Sequence, residues 1–380
     1  MNQYEHLMHT LVRHTQHGVR NPPIMPRLHK IQDNRILITR TDVEGYHGVH
    51  NNDVWNNLTV WAGTWNVNAV TTPFSIAEMV GINENAPMVN MYAVGLQEVD
   101  DPGMASISFG LSENAKKWTR SLKDYFVTTC GLELLMIDII GGTLLAVYVQ
   151  KQYFKMVSQV SVSTIALGMA GIAKNKGAVG VRFQMGEKTF CIVCAHLKAG
   201  EKGYTDYTKR VCGYKRIVDD MKFKYKQTRN SVNATTYHML DSDNILFMGD
   251  LNFRIIPNKT LDSLKLLVID PSNTAGMLAA QLYELQAYDE LLYAMTYDDI
   301  LSQFNEGTLT FKPTYKYANK TDNYDKYTTR MPAWTDRILW KGDAATLLQY
   351  RPKHTTGSDH KPLHAVIVFN NIMSNGVHIS

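Results

Sequence analysis

DNILFMGDLNFRI, residues 243–255, sets a short apolar run, Ile245 to Met248, directly before an aspartate and an asparagine, Asp250 and Asn252. A run of this length suits a strand buried on both faces, the kind found inside α/β sheets. Successive side chains of a strand point to opposite faces, so residues two apart project together. The spacing therefore predicts that Asp250 and Asn252 converge where the strand ends. A carboxylate beside an amide on the rim of an apolar sheet is how a polar site is built.

Outward from this strand, β-like and helical signals alternate. LTVWAGTWNV (58–67), MYAVGLQEV (91–99), TLLAVYV (143–149), AVGVRFQ (178–184), TFCIVCAHL (189–197) and LHAVIVF (363–369) read as strands. Tyr207, Val211, Tyr214, Val218 and Met221 recur at four- and three-residue steps, one apolar stripe of a helix, and a second helix is expected from roughly Ala275 to Tyr293. The alternation predicts an α/β fold. No repeat or low-complexity tract divides the middle of the chain, so one domain is expected over 56–370, with an extension at 1–55 and a tail at 371–380.

The chain has 380 residues, 44% of them hydrophobic, and a formal net charge of +4. Such a length supports a well-filled core, and so small a charge does not mark a nucleic-acid binder, although it suits an acidic substrate or an anionic membrane surface. No run of about 18 apolar residues occurs and the N-terminus lacks the hydrophobic region of a secretory signal, so a cytoplasmic protein without a transmembrane segment is expected. The four cysteines, Cys130, Cys191, Cys194 and Cys212, include a C-x-x-C. Strand positions three apart face opposite sides, which favours reduced structural thiols over a zinc site. Residues 1–55 hold seven of the thirteen histidines and the break RNPPIMPR, and read as a loosely packed extension. His6 with His9, and His14 with His17, have a helical metal-site spacing, but exposed histidines more often do nothing special.

Other strand-end or loop sites carry the same residue types: Asn66 and Asn68 in GTWNVN, Gln97 and Glu98 in GLQEV, His196 in CAHL, and Asp359 with His360 in GSDHKPL, while Asp336 in PAWTDRIL sits just before another apolar pair. Singly, each is a turn former or a hydrogen-bonded core group. On strand ends that share one rim they converge into a pocket suited to a hard cation and a phosphate. Oxygen ligands without a cysteine or histidine cage suit magnesium, with Glu98 and Asn66 as donors. Hydrolysis of a phosphate ester would use Asp250 to orient and deprotonate water, and Asn252, His196 and His360 to engage phosphoryl oxygens. Asp336 would fix the tautomer of His360.

FMGDLNFR and RMPAWTDRIL resemble the two signature motifs of the inositol polyphosphate 5-phosphatases, and WAGTWNVN, GLQEV, KNKGAVGVRF, AHL and GSDHKPL fall in that family's order over about residues 58 to 370. The resemblance implies the magnesium-dependent superfamily of DNase I and exonuclease III, and with it a four-layer α/β sandwich of two mixed β-sheets packed face to face and flanked by helices. It implies removal of the 5-phosphate from phosphoinositides, the 4,5-bisphosphate or the 3,4,5-trisphosphate, and from soluble inositol polyphosphates. By motif, Asn66 and Glu98 correspond to the metal site, and Asp250 and Asn252 to the pair that orients water and phosphate. His196 and His360 correspond to phosphate-contacting histidines, with Asp336 supporting His360 and Asp359 completing the site. The proton acceptor stays open between Asp250, which is favoured, and His360.

Two further stretches bear on substrate. TIALGMAGIAKNKG sets apolar Leu167, Met169 and Ile172 before Lys174, Asn175 and Lys176, a combination suited to touching acyl chains while gripping a headgroup phosphate. The alternative is a strand and turn burying those apolar side chains. Tyr315, Lys316 and Arg330 resemble the family's grip on the phosphate beside the scissile one, and Arg337 is expected to bind substrate too. The chain departs from the family pattern at Met248, at Ala178, at Thr328, where relatives that prefer a 4-phosphate often carry lysine, and in HLKAG, which lacks a second histidine. These departures bear on which inositol phosphate is preferred. A nuclease of the same superfamily would share Asn66, Glu98, Asp250, Asn252 and His360, whereas a phosphoinositide-binding module without activity would need a lost catalytic position, and none is lost. The expected partner is a phosphoinositide met peripherally at a membrane surface by a monomer, with no nucleic acid. The closing NGVHIS carries no lipidation motif.

Overall fold

Strand β1 (Leu58–Asn66) carries Leu58, Val60 and Ala62 on one face and Trp61 and Trp65 on the other, and all five are buried. Apolar side chains on both faces demand cover on both faces. The computed structural model describes residues 56–70, 76–80, 88–100, 112–168, 176–226, 234–256, 282–325 and 327–373, and in them that cover is a second sheet on one side and helices on the other.

The first sheet takes the order β13–β14–β1–β2–β4–β3, with β2 at Met91–Gln97, β3 at Glu133–Ile140, β4 at Thr143–Val149, β13 at Ala345–Pro352 and β14 at Leu363–Phe369. The second takes the order β11–β12–β10–β7–β6–β5, with β5 at Val157–Ala166, β6 at Gly177–Met185, β7 at Lys188–His196, β10 at Asn244–Asp250, β11 at Asn305–Glu306 and β12 at Asp336–Lys341. Both are mixed, since β1 pairs β2 in parallel and β7 pairs β10 in parallel while the other neighbours run antiparallel. A separate hairpin joins β8 (Phe223–Tyr225) to β9 (Thr235–Tyr237).

Helices complete the sandwich. Short α1 (Ile76–Val80) and longer α2 (Glu113–Lys123) cover the first sheet, where Trp118 and Leu122 pack among Trp61, Trp65, Tyr92 and Tyr148. Ser112 caps α2 by accepting the backbone N–H of Ala115 at 3.0 Å. After the single turn α3 (Lys151–Phe154), α4 (Tyr204–Asp220) lays Tyr207, Val211, Tyr214 and Ile217 on the second sheet, with Tyr214 edge-on to Phe247 at 5.5 Å. The expected four-layer α/β sandwich is therefore the fold. The second expected helix is broken: its first part lies outside the described residues, and the rest is a helical turn at 282–286 followed by α5 (Glu290–Tyr297). The break falls at Asp289, whose side chain accepts from the Leu292 N–H at 2.9 Å as the cap of α5.

The inward faces explain where a site can form. Along β1 the series Val60, Ala62, Thr64, Asn66 turns from apolar to polar, and β2 (Ala93, Gly95, Gln97), β7 (Ile192, Cys194, His196) and β10 (Met248, Asp250) do the same. Gly95 lets the sheets close, because a Cβ there would press on Cys194 and Met248. Gly249 has φ of 144° and a Cβ would run into the Ala195 carbonyl of β7, so only glycine brings β10 to its end in this register. Cys194 faces Gln97 and Cys191 pairs across from Arg182, and both are free thiols that burial pushes up, Cys194 to about 12.

Candidate active site

Asp250, at the end of β10 and 1% exposed, is the hub. Its Oδ2 accepts from Asn66 Nδ2 at 3.0 Å and lies 3.3 Å from His196 Nε2 and 4.0 Å from His360 Nε2. Burial alone would raise its pKa, but the hydrogen bond from His196 and the charge of His360 hold it far below the usual carboxylate range. Asn252 joins it by a turn, not by the strand pleat expected. The strand stops at Asp250 and Asn252 takes φ of 56°, a left-handed conformation that asparagine tolerates better than most residues. Its backbone N–H then donates to Asp250 Oδ1 at 3.1 Å and its Nδ2 to the Leu197 carbonyl at 3.1 Å.

His360 is held from behind. Its Nδ1 lies 2.8 Å from Asp336 Oδ2, which also accepts from Thr314 Oγ1 at 2.7 Å and Thr335 Oγ1 at 3.0 Å. Trp65 Nε1 donates to the His360 carbonyl at 3.1 Å, and the Tyr315 ring leans on the imidazole at 4.5 Å between centroids. Burial would lower this histidine, but the Asp336 carboxylate, helped by Asp250 and Asp359, lifts it to about 9. His196 goes the other way: burial, then the neighbouring Lys176, lower it. The site thus pairs one imidazolium with one neutral imidazole at neutral pH.

These groups open on a polar cavity of about 240 Å³. Asn66, Glu98, Asp250, Asn252, Asp359 and His360 line it, together with Lys176, Tyr315, Lys316 and Arg330, while His196 and Asp336 stand behind the lining. Glu98 Oε1 lies 3.6 Å from Lys176 Nζ and 3.7 Å from His196 Nε2. Burial would raise Glu98, yet those two neighbours lower it. Lys176 Nζ also contacts His196 Nε2, and burial depresses the lysine. Arg330 donates to the Tyr315 hydroxyl.

Two expected residues are elsewhere. Arg337 is no substrate contact: it is 0% exposed, with its guanidinium bound to Asp289 at 3.0 Å and to Glu306 at 2.6 Å, so it ties β12 to β11 and to the start of α5. Leu167 is half-buried, packed against the core outside the cavity, and its N–H donates to the Lys176 carbonyl at 2.8 Å. Met169, Ile172, Lys174 and Asn175 lie outside the described residues, as do 1–55 and 374–380. Arg254 was not anticipated. It lines the cavity, stacks 4.7 Å above the Tyr315 ring and donates to Asn252 Oδ1. Its signal was present in DLNFR, four residues beyond Asp250, but a lone arginine in an apolar run reads as a solvated charge.

Among the described residues Asp250, Asp336 and His360 bring ligand-type atoms within 4.8 Å of one another. The Asp336 oxygen facing His360 is already committed to that imidazole and two threonines, while Asp250 stands 4.0 Å from the other ring nitrogen as an ion-pair neighbour, so the trio is a carboxylate-supported imidazole rather than a metal cage. The Glu98 carboxylate and the Asn66 amide are a different matter. Both face the cavity beside the ionised Asp250, and an all-oxygen set with no thiolate fits a hard divalent cation.

A family model described as endonuclease/exonuclease/phosphatase family 2 matches residues 63–366. The type II inositol 1,4,5-trisphosphate 5-phosphatase of Mus musculus is 30% identical over 315 residues, which is 82% of this chain but only 29% of that protein. The type IV inositol polyphosphate 5-phosphatase 9 of Arabidopsis thaliana is 29% identical over 338 residues, covering 82% of this chain and 77% of its own length. The solved inositol polyphosphate 5-phosphatase domain of SpSynaptojanin, in complex with inositol (1,4)-bisphosphate and calcium, aligns with a TM-score of 0.67 and 25% identity over 83% of this chain and 84% of that one. A Cimex nitrophorin at 21% identity and TM-score 0.59, covering 83% of this chain and 99% of its own, shares the fold alone.

Proposed function

Because the chain belongs to the endonuclease/exonuclease/phosphatase family and, within it, to the inositol polyphosphate 5-phosphatases, we propose that it hydrolyses the 5-phosphate of phosphoinositides with magnesium. Phosphatidylinositol 4,5-bisphosphate and 3,4,5-trisphosphate are the substrates proposed, with soluble inositol polyphosphates as a further class. The observation that carries this reading is one cavity that joins an ionised carboxylate and an imidazolium to a wall of four cations, Lys176, Arg254, Lys316 and Arg330.

In the proposed reaction Asp250 and Asn252 orient a water against the phosphorus, and the new O–P bond forms as the bond to the ring oxygen breaks. The ring oxygen leaves with that electron pair and is protonated to the hydroxyl from solvent, to which Asp250 returns the water's proton. The transition state of phosphoryl transfer is loose, so orientation matters more than base strength and a carboxylate of depressed pKa suffices to take the water's proton. His360 is charged below about 9, which suits it to donate to a phosphoryl oxygen and leaves the acceptor role to Asp250. Lys176 faces the same charge, neutral His196 behind it positions Lys176 and Asp250, and Tyr315, Lys316 and Arg330 grip the neighbouring phosphate. Glu98 and Asn66 would hold the magnesium ion, which when bound would supply positive charge against the negative charge on the phosphoryl and leaving oxygens.

Peripheral contact with an anionic membrane, a cytoplasmic location and a monomeric state complete the proposal. The membrane part rests on the sequence of residues 169–175. Among the described residues no helix is long and apolar enough to cross a membrane. Malachite-green detection of phosphate from phosphatidylinositol 4,5-bisphosphate, run beside nicking of plasmid DNA, tests the reading. Phosphate release without nicking is expected, and nicking without release would turn the assignment to a nuclease.

A further inference from the structure

A carboxylate stands against the cationic wall of this phosphate-binding cavity. Glu201 Oε1 lies 3.4 Å from Arg254 Nη1, and its charge reaches Arg330 as well. Glu201 is not part of the lining; it approaches Arg254 from the rim, with 34% of its side chain exposed against 5% for Arg254.

The fold builds this pair rather than leaving it to a mobile surface chain. Glu201 sits on the loop between β7 and α4, where Gly200 takes φ of 134° and leaves no room for a Cβ beside the Asp206 carboxylate. Asp206 accepts from the Lys202 N–H at 2.9 Å, and fully buried Arg210 donates to the Gly200 carbonyl at 3.0 Å. Arg210 also pairs with Glu290, whose Oε2 accepts the backbone N–H of Arg254 at 2.8 Å. Both members of the Glu201–Arg254 pair are therefore mounted on one buried ion pair. A bound phosphate at Arg254 meets a fixed competing anion.

We propose that Glu201 sets the charge of the site: its carboxylate competes with phosphate for Arg254 and weakens the hold on every anion that enters, including the inorganic phosphate and bisphosphate that hydrolysis would release. Product then leaves readily, and only a ligand gripped by several cations at once is retained. Glu201 acts through Arg254 and is a positioning residue. The inference rests on the phosphatase reading for its meaning, but its test does not need turnover.

The test is calorimetric titration of the full chain with inorganic phosphate and with inositol 1,4-bisphosphate, with Glu201→Gln and Glu201→Ala compared with the parent. Loss of one nearby charge in a partly exposed setting should tighten both ligands by roughly three- to tenfold, and the gain should shrink as salt is raised. Glu201→Asp, which keeps the charge, should bind within about twofold of the parent. In turnover assays KM should fall with the binding constant while kcat changes far less. Unchanged or weaker binding in both neutral variants overturns the proposal, as does a fall in kcat with KM unchanged, which would make Glu201 merely a prop for Arg254. Tighter anion binding in a chain that releases no phosphate from phosphoinositides would keep this inference and sink the substrate assignment; turnover without tightening would do the reverse.

Discussion

Replacing Asp336 by Asn removes one charge and keeps nearly the same shape, which isolates what the carboxylate does for His360. Burial opposes a charged imidazole, yet Asp336 at 2.8 Å, with Asp250 and Asp359, lifts His360 from 6.5 to about 9. At about 1.4 kcal/mol per pH unit, that shift amounts to on the order of 3 kcal/mol in favour of the imidazolium. Because the folded value lies above the unfolded one, this contribution is fully present below pH 6.5 and is lost as pH rises through about 9. Urea unfolding at pH 6 should therefore show Asp336→Asn less stable than the parent by up to that amount, with the gap largely closed at pH 10. Losses from disturbing Thr314 and Thr335 do not depend on pH, so the difference between the two conditions reports the charge. The alkaline limb of the pH–rate profile should also move from near 9 in the parent to about 2 units lower in the variant. An equal stability loss at both pH values, or an unmoved alkaline limb, would refute the coupling.

Asp250→Ala should lower kcat by several orders of magnitude while an inositol bisphosphate still binds within a few-fold, read by single-turnover kinetics and calorimetry; parent-like turnover would remove Asp250 from the mechanism. Arg337→Met should leave Asp289 and Glu306 as unpaired buried acids and cost about 3–5 kcal/mol in urea unfolding, without changing KM of the folded fraction. A raised KM at unchanged stability would restore Arg337 as a substrate contact. Met169→Ser with Ile172→Ser should reduce activity on phosphoinositide vesicles far more than on a soluble headgroup, and equal losses on both would end the membrane role of that segment.

The strands that position the site were legible because they are apolar on both faces and turn polar only at their ends. Their neighbours were less so. β5, VSQVSVSTIA, alternates half-buried with exposed residues, and β3 is half-buried along most of its length. Both lie at sheet edges, where a strand needs little apolar signal and reads as loop. Asp336 was read as a polar residue before an apolar pair, although it opens β12. In the site, residue type and position at a strand end pointed to Asp250, His196 and Glu98, but not to the sign of a contact. Arg337 and Arg254 each follow a signature aspartate, and only three-dimensional neighbours separate them. The first meets Asp289 and Glu306, 48 and 31 residues away in sequence, and is consumed by them. The second faces the cavity. Asn252 also reached its expected place by a positive φ that no periodicity encodes.

The most direct trial of the central claim is phosphate release from phosphatidylinositol 4,5-bisphosphate by the full chain in magnesium, with the position of the lost phosphate assigned by chromatography of the product. The account predicts phosphatidylinositol 4-phosphate as product and no release after chelation of the metal by EDTA. Release from another ring position, or undiminished release in EDTA, would contradict it.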